Sequence, residues 1–305
     1  MHIYIKKNTI GESYYQQLVK QFPAVTFTDV LSSKVDAAIV TPGVLKKDTL
    51  AILPNLKWAQ LLTVGYNQVD TDYLKEKNIT LTNAKDVYSI TIAEDIITKI
   101  LVLNRNVKTY MNQMQTATWQ GYPFEKEIYG STVGFLGSGS LASAAALRLK
   151  AFDTKVICYR KSLDKNPIFD ETYHDLAGLE TLLKKSDYVV VTLPITKDTY
   201  HLLNHERLSM MKKDALLINV GRGDVIDQDA LIDLLEKGLI RGAGLDVTTP
   251  EPLPQDSKLW GMQNVFITPH NAPSSPYMLD RLTALVSDNI HRYIKGERLN
   301  NVVTL

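Results

Sequence analysis

One cysteine in 305 residues, Cys158, excludes a disulfide within the chain and suits a reducing compartment. Its setting, Val156-Ile157-Cys158-Tyr159, reads as a buried strand rather than a reactive thiol. No apolar run approaches the ~20 residues that a membrane-crossing helix needs. The opening Met1-His2-Ile3-Tyr4-Ile5-Lys6-Lys7 is too short an apolar stretch for a secretory signal, so a cytoplasmic location is expected. Neither sign of charge prevails: 34 lysines and arginines face 33 aspartates and glutamates, intermixed. Such a surface offers nucleic acid no basic face and a basic partner no acidic tail. Internal repeats, low-complexity tracts and a Pro/Gly-rich linker are also absent.

What is present is an alternation of short apolar strands with helical stretches, over a length that suits roughly two domains of ~150 residues. Strands are expected at 2–5, 37–40, 58–63 and 80–83, with helices at 11–21 and 70–77 between them. Ser89 and Thr91 can cap a long helix carrying Ile92, Ile96, Ile100 and Leu103, running with a break toward Trp119. A second series then supplies strands at 132–136, 155–158, 188–192, 215–219, 243–245 and 265–267. Six strands suffice for a dinucleotide-binding sheet. A last helix, 276–295, is expected to return to the first domain. The implied fold is α/β: two Rossmann-like doubly wound domains. A dinucleotide-binding domain, 96–279, interrupts a discontinuous flavodoxin-like one, 1–95 plus 280–305.

The turn Gly137-Ser138-Gly139-Ser140-Leu141-Ala142 joins the strand 132–136 to a small-residue helix. Gly137 permits the tight turn, Gly139 lets the backbone approach a pyrophosphate, and Ala142 keeps helix and strand close. Free N–H groups at the helix start then face phosphate. Alone the spacing G-x-G-x-x-A is weak, but strand before and helix after supply its context. At the end of the next strand an NAD-binding chain usually carries an acidic residue. This one has Arg160-Lys161-Ser162, two cations and a hydroxyl that suit a 2′-phosphate. NADP(H) is therefore favoured; NAD(H), with the basic turn merely solvated, stays open.

Three later segments follow strands and so gather at one sheet edge. They are Asn219-Val220-Gly221-Arg222-Gly223, Leu245-Asp246-Val247-Thr248-Thr249-Pro250-Glu251-Pro252, and Thr268-Pro269-His270. An arginine between two glycines can present its guanidinium to a carboxylate in bidentate fashion. In this order the motifs resemble the D-isomer-specific 2-hydroxyacid dehydrogenases, a family that includes phosphoglycerate dehydrogenase, D-lactate dehydrogenase and glyoxylate/hydroxypyruvate reductase. The resemblance extends through 56–66, similar to the family's substrate loop, and through Leu193, Pro194 and Thr199, similar to its cofactor-lining turn.

The resemblance implies a reaction between a small 2-keto acid and a D-2-hydroxy acid, with the discontinuous domain binding substrate. Arg222 would bind the substrate carboxylate and polarise the keto oxygen. His270 would be the acid and base, and Glu251 would orient it and favour its protonated form. Asp246 would lie near the nicotinamide, Val220 and Gly221 would contact cofactor, and the N–H groups of Val64 and Gly65 would meet the substrate carboxylate. The chemistry agrees: an alkoxide formed by hydride addition needs a cation and a proton donor working near neutral pH. Neither the chemistry nor the resemblance calls for a metal. The other histidines, His2, His174, His201, His205 and His291, are expected to be bystanders. Asn67, Ser140, Thr248 and Thr249 depart from the family pattern, which leaves the substrate open; a glyoxylate or hydroxypyruvate type is favoured. A homodimer is expected by family analogy. A dinucleotide-sensing protein with little turnover is the competing class, because function resides in the site rather than the fold.

Overall fold

The computed structural model describes residues 1–122, 125–164 and 166–305. These divide into two compact units, 1–88 with 275–305, and 89–274. The joins therefore differ from 95/96 and 279/280, both of which fall inside helices. The helix Ser89–Asn104 is continuous, and its Ala93, Ile96 and Ile100 belong to the core of the second unit. The helix Met278–Lys295 gives Leu282, Val286 and Ile290 to the core of the first.

Among the described residues, the first unit has five parallel strands: β1 (His2–Tyr4), β2 (Thr26–Thr28), β3 (Ala37–Val40), β4 (Trp58–Leu61) and β5 (Thr80–Thr82). Their order, β2-β1-β3-β4-β5, is the flavodoxin-like one. Alternate residues serve opposite faces, as a strand's two-residue period demands. Ile3, Ile39 and Trp58 pack with the last helix, whereas Tyr4, Ala38, Val40 and Ala59 join the opposite layer. Buried polar groups tie that helix to the sheet: Asn289 donates to Gln60 at 2.7 Å, and Thr82, which accepts from Trp58, donates to the same oxygen.

The second unit adds β6 (Thr132–Leu136), β7 (Lys155–Tyr159), β8 (Glu171–Tyr173), β9 (Tyr188–Val191), β10 (Leu216–Asn219), β11 (Gly242–Leu245) and β12 (Val265–Ile267). All are parallel, in the order β12-β11-β10-β9-β6-β7-β8. The order reverses between β6 and β9, and this switch point is where doubly wound sheets hold their ligands. Such strands are covered on both faces, which is why β9 reads Tyr-Val-Val-Val without polar alternation.

The expected strands form, with ends shifted by a residue or two. Thr26–Thr28 and Glu171–Tyr173, both absent from the sequence reading, are the outer strands β2 and β8. The long helix breaks where Asn106 takes a left-handed backbone (φ 49°), and its continuation, Val107–Gln115, stops short of Trp119. No helix among the described residues is long and apolar enough to cross a membrane.

Candidate active site

At the switch point β6 runs into the glycine-rich turn. Gly137 has φ +104°, and a Cβ there would lie 2.6 Å from the Thr192 hydroxyl oxygen. Only glycine meets both conditions without strain. Gly139, by contrast, has an ordinary φ of −70°, and a Cβ there would meet nothing within 4 Å. The space beside it is open. Helices Leu176–Lys185 and Gln228–Glu236 are capped by Asp175 and Asp227. Helix Ser140–Leu149 starts from Gly139 with no capping side chain, so its first N–H groups remain for an anion. Asn166 donates to the Ser138 carbonyl at 3.2 Å and to the Ser143 hydroxyl at 2.9 Å, pinning the turn from outside. This donor set fits a dinucleotide pyrophosphate.

The basic turn after β7 is not free. Arg160 donates to the Asp164 carbonyl at 3.0 Å and lies 3.6 Å from its carboxylate; Ser162 donates to that carboxylate too. Lys161 meets Asp198 at 2.5 Å, both largely exposed, and its ammonium holds the Asp198 carboxyl below the usual range. A 2′-phosphate would have to displace both carboxylates; the Lys161–Asp198 pair is exposed and of little individual strength, whereas the Arg160 side chain is only 20% exposed. In the neighbouring turn, Thr199 donates to the Pro194 carbonyl at 2.7 Å, next to Leu193.

The loops after β10, β11 and β12 meet at the same edge. Asn219 accepts from Gly221 N–H and donates to the Arg222 carbonyl, both at 3.0 Å, shaping the turn that carries the arginine. A Cβ on Gly223 would stand 2.2 Å from the Thr248 carbonyl oxygen, so glycine lets the two loops touch. The Arg222 guanidinium itself donates to the Gly221 carbonyl at 2.6 Å. Val220 is buried beside it. Gln228 grips Thr249 by both backbone groups, at 2.6 and 2.9 Å.

Glu251 follows. One carboxylate oxygen accepts from Thr248 N–H at 3.2 Å; the other lies 2.8 Å from Nδ1 of His270. A carboxylate only accepts, so Nδ1 carries a proton in this pair and Nε2 is left to exchange one. The imidazole is 45% exposed, so the pair fixes orientation more than it stabilises the fold. His270 has φ 50°, a strained backbone for a non-glycine residue. Asp246, 3% exposed, holds it there. Its carboxylate accepts from Thr268 Oγ1 at 2.6 Å and from the N–H groups of Asn271 and Ala272, and its carbonyl accepts from His270 N–H at 2.8 Å. Asp246 is thus turned into the histidine loop.

In the first unit, Val64 is exposed on the loop after β4, where Thr63 donates to the Gly65 carbonyl and Asn83 to the Val64 carbonyl. Sequence reasoning missed Asn166, Gln228, Asp164, Asp198 and the buried Lys99, which donates to Thr268. Only Asp198 lies within a motif, between Pro194 and Thr199 of the cofactor-lining turn.

A glycine turn fit for pyrophosphate and an imidazole–carboxylate pair on the same sheet edge together define a dinucleotide-dependent oxidoreductase. The family model described as D-isomer specific 2-hydroxyacid dehydrogenase, NAD binding domain, matches residues 97–272, and the chain belongs to that family. It is 34% identical over 275 residues to glyoxylate/hydroxypyruvate reductase B of Pectobacterium carotovorum, covering 88% of this chain and 85% of the relative. To glyoxylate reductase of Thermofilum pendens it is 34% identical, covering 88% and 78%. Among solved structures, it is similar to an acyclic imino acid reductase in complex with NADPH and D-Arg (TM-score 0.87, 27% identity, 100% of both chains). It is also similar to a D-isomer specific 2-hydroxyacid dehydrogenase from Xanthobacter autotrophicus Py2 in complex with NADPH and MES (0.84, 29%, 99% and 97%).

Proposed function

We propose that this chain reduces a small 2-keto acid to the D-2-hydroxy acid with NADP(H), a glyoxylate or hydroxypyruvate type being the favoured substrate. The carrying observation is the 2.8 Å contact of His270 Nδ1 with Glu251, which leaves Nε2 as the proton donor. Residues Gly137 to Leu141 hold the pyrophosphate, and Leu193, Pro194, Thr199, Val220 and Gly221 line the remainder of the cofactor. Arg160, Lys161 and Ser162 take the 2′-phosphate. The nicotinamide, when bound, supplies the hydride. Arg222 uses its unspent donors to clamp the substrate carboxylate and polarise the keto oxygen, and the resemblance assigns the N–H groups of Val64 and Gly65 to that carboxylate. His270 gives its Nε2 proton to the oxygen as charge develops there, and takes one in the reverse direction. Glu251 keeps the ring oriented, and Asp246 holds the loop at the nicotinamide end of the site.

Relatives named for glyoxylate and hydroxypyruvate reduction support the substrate class, and similar structures that contain NADPH or NAD support a nicotinamide dinucleotide, with the basic turn favouring NADP(H). A homodimer and a cytoplasmic location belong to the same proposal, by family analogy and from the single cysteine. The second reading is NAD(H), favoured by Asp164 and Asp198 occupying the basic turn. Oxidation of NADPH and NADH by purified protein, with glyoxylate, hydroxypyruvate, pyruvate and branched 2-keto acids, tests both. Faster turnover with NADPH on a small keto acid is expected. Preference for NADH moves the reading to the second, and tight binding without turnover points to a sensing protein.

A further inference from the structure

Helix Ser89–Asn104 carries a lysine with no accessible surface. Lysines are almost never fully buried unless paired, and Lys99 is paired with Asp95, one turn earlier. An i,i+4 pair of this kind is ordinarily a solvated surface feature. Here it points at the sheet. A Cβ on Gly244 would come within 2.8 Å of Lys99 Cβ, so the bare glycine in β11 makes room for the stem. The ammonium then reaches Thr268 Oγ1 at 2.8 Å, the threonine two residues before His270.

The direction of this chain of hydrogen bonds follows from the groups in it. An ammonium has donors only, so Thr268 Oγ must accept from Lys99. Its single proton is left for Asp246, 2.6 Å away. Asp246 in turn collects the N–H groups of Asn271 and Ala272, on the far side of His270. The histidine thus sits on a short loop whose two flanks converge on one carboxylate, with a buried cation at the far end of the chain. Burial pushes the Asp95 carboxyl up while Lys99 opposes the shift, so the cation faces a desolvated carboxylate on one side and, through Thr268, a second on the other.

We propose that Lys99 is a positioning residue for proton transfer: through Thr268 and Asp246 it sets the backbone geometry that aims His270. It touches neither substrate nor cofactor. The proposal rests on His270 being the proton-transfer group assigned above. It differs from a role in which Lys99 only neutralises Asp95.

The test compares wild type with Lys99→Met, the charge-neutral double variant Asp95→Asn/Lys99→Met, and Thr268→Val. Heat stability, NADPH affinity, kcat on the best keto acid, and amide hydrogen exchange at Asn271 and Ala272 are measured. Lys99→Met strands Asp95 and loses stability as well as kcat. The double variant recovers the unfolding midpoint and binds NADPH as wild type does. Its kcat nonetheless stays about 10-fold or more below wild type, as small misplacements of catalytic groups produce. The two amides exchange about 10-fold faster, as expected for locally loosened hydrogen bonds. Recovery of kcat and amide protection together with stability overturns the proposal. If the double variant does not fold, Thr268→Val decides, since it cuts the link and leaves every charge in place; wild-type kcat and exchange in that variant overturn the proposal equally. The exchange measurement needs no substrate. Wild type inactive on every keto acid would refute the functional reading and leave the exchange result to judge Lys99.

Discussion

The two glycines of the nucleotide turn do different things, and replacing each by alanine separates them. Gly137→Ala places a methyl 2.6 Å from Thr192 Oγ1, which is itself held by its 2.9 Å bond to the Leu136 carbonyl. The positive φ adds roughly 1–3 kcal/mol of strain and the overpacking about 1–3 more. A total of about 2–6 kcal/mol lowers the unfolding midpoint by roughly 4–24 °C at ~2–4 °C per kcal/mol. Gly139→Ala meets open space at φ −70°. The poorer helix cap and the less flexible unfolded chain offset each other, leaving stability within about 0.5 kcal/mol of wild type. Its methyl instead keeps the pyrophosphate away; one lost charge-assisted hydrogen bond, about 1.5–3 kcal/mol, weakens dinucleotide binding roughly 10- to 100-fold. Differential scanning calorimetry and NADPH fluorescence titration read the two effects. A Gly139→Ala protein that binds NADPH like wild type, or a Gly137→Ala protein of wild-type stability, would show that the two glycines do not divide these roles.

His270→Ala is expected to lower kcat about 10²- to 10⁴-fold with NADPH affinity unchanged; equal kcat in steady-state assays removes His270 from its role. Arg160→Asp with Lys161→Ala shifts the ratio of kcat/KM toward NADH, and an unmoved ratio sinks the 2′-phosphate assignment. The third prediction concerns acid stability at β8. Hydrogen bonds from Lys155, Tyr173 and Lys185 hold the Glu171 carboxyl down to about 2, against an ordinary value of 4.5. The carboxylate therefore contributes stability in full above about pH 4.5, and the contribution is lost as pH falls toward 2. Glu171→Gln should flatten that part of the pH–stability curve in urea melts; an unchanged acid limb contradicts the assignment.

Sequence patterning revealed the inner strands because burial on both faces demands runs such as Tyr-Val-Val-Val. It missed the outer strands β2 and β8, Thr-Phe-Thr and Glu-Thr-Tyr, none of whose residues is fully buried; β5 and β12, also outer, bury Leu81 and Val265 and were found. The pairing of Glu251 with His270 was legible because each follows a strand within a motif, and Arg222 was legible as a candidate for the same reason. Lys99 was not, since Asp95 and Lys99 have the spacing of a solvated helical pair and only the packing against Gly244 shows them buried. Asp164 and Asp198 escaped notice for another reason: nothing in their spacing from Arg160 and Lys161 reveals that they lie against the cations.

In the proposed reaction the keto acid is reduced to the D-hydroxy acid with a proton from His270. Chiral chromatography of the glycerate formed from hydroxypyruvate and NADPH tests this most directly, with wild type and His270→Ala run side by side. Wild type is expected to give D-glycerate, and the variant a trace of it. L-glycerate, or equal yields from both proteins, contradicts the proposed reaction.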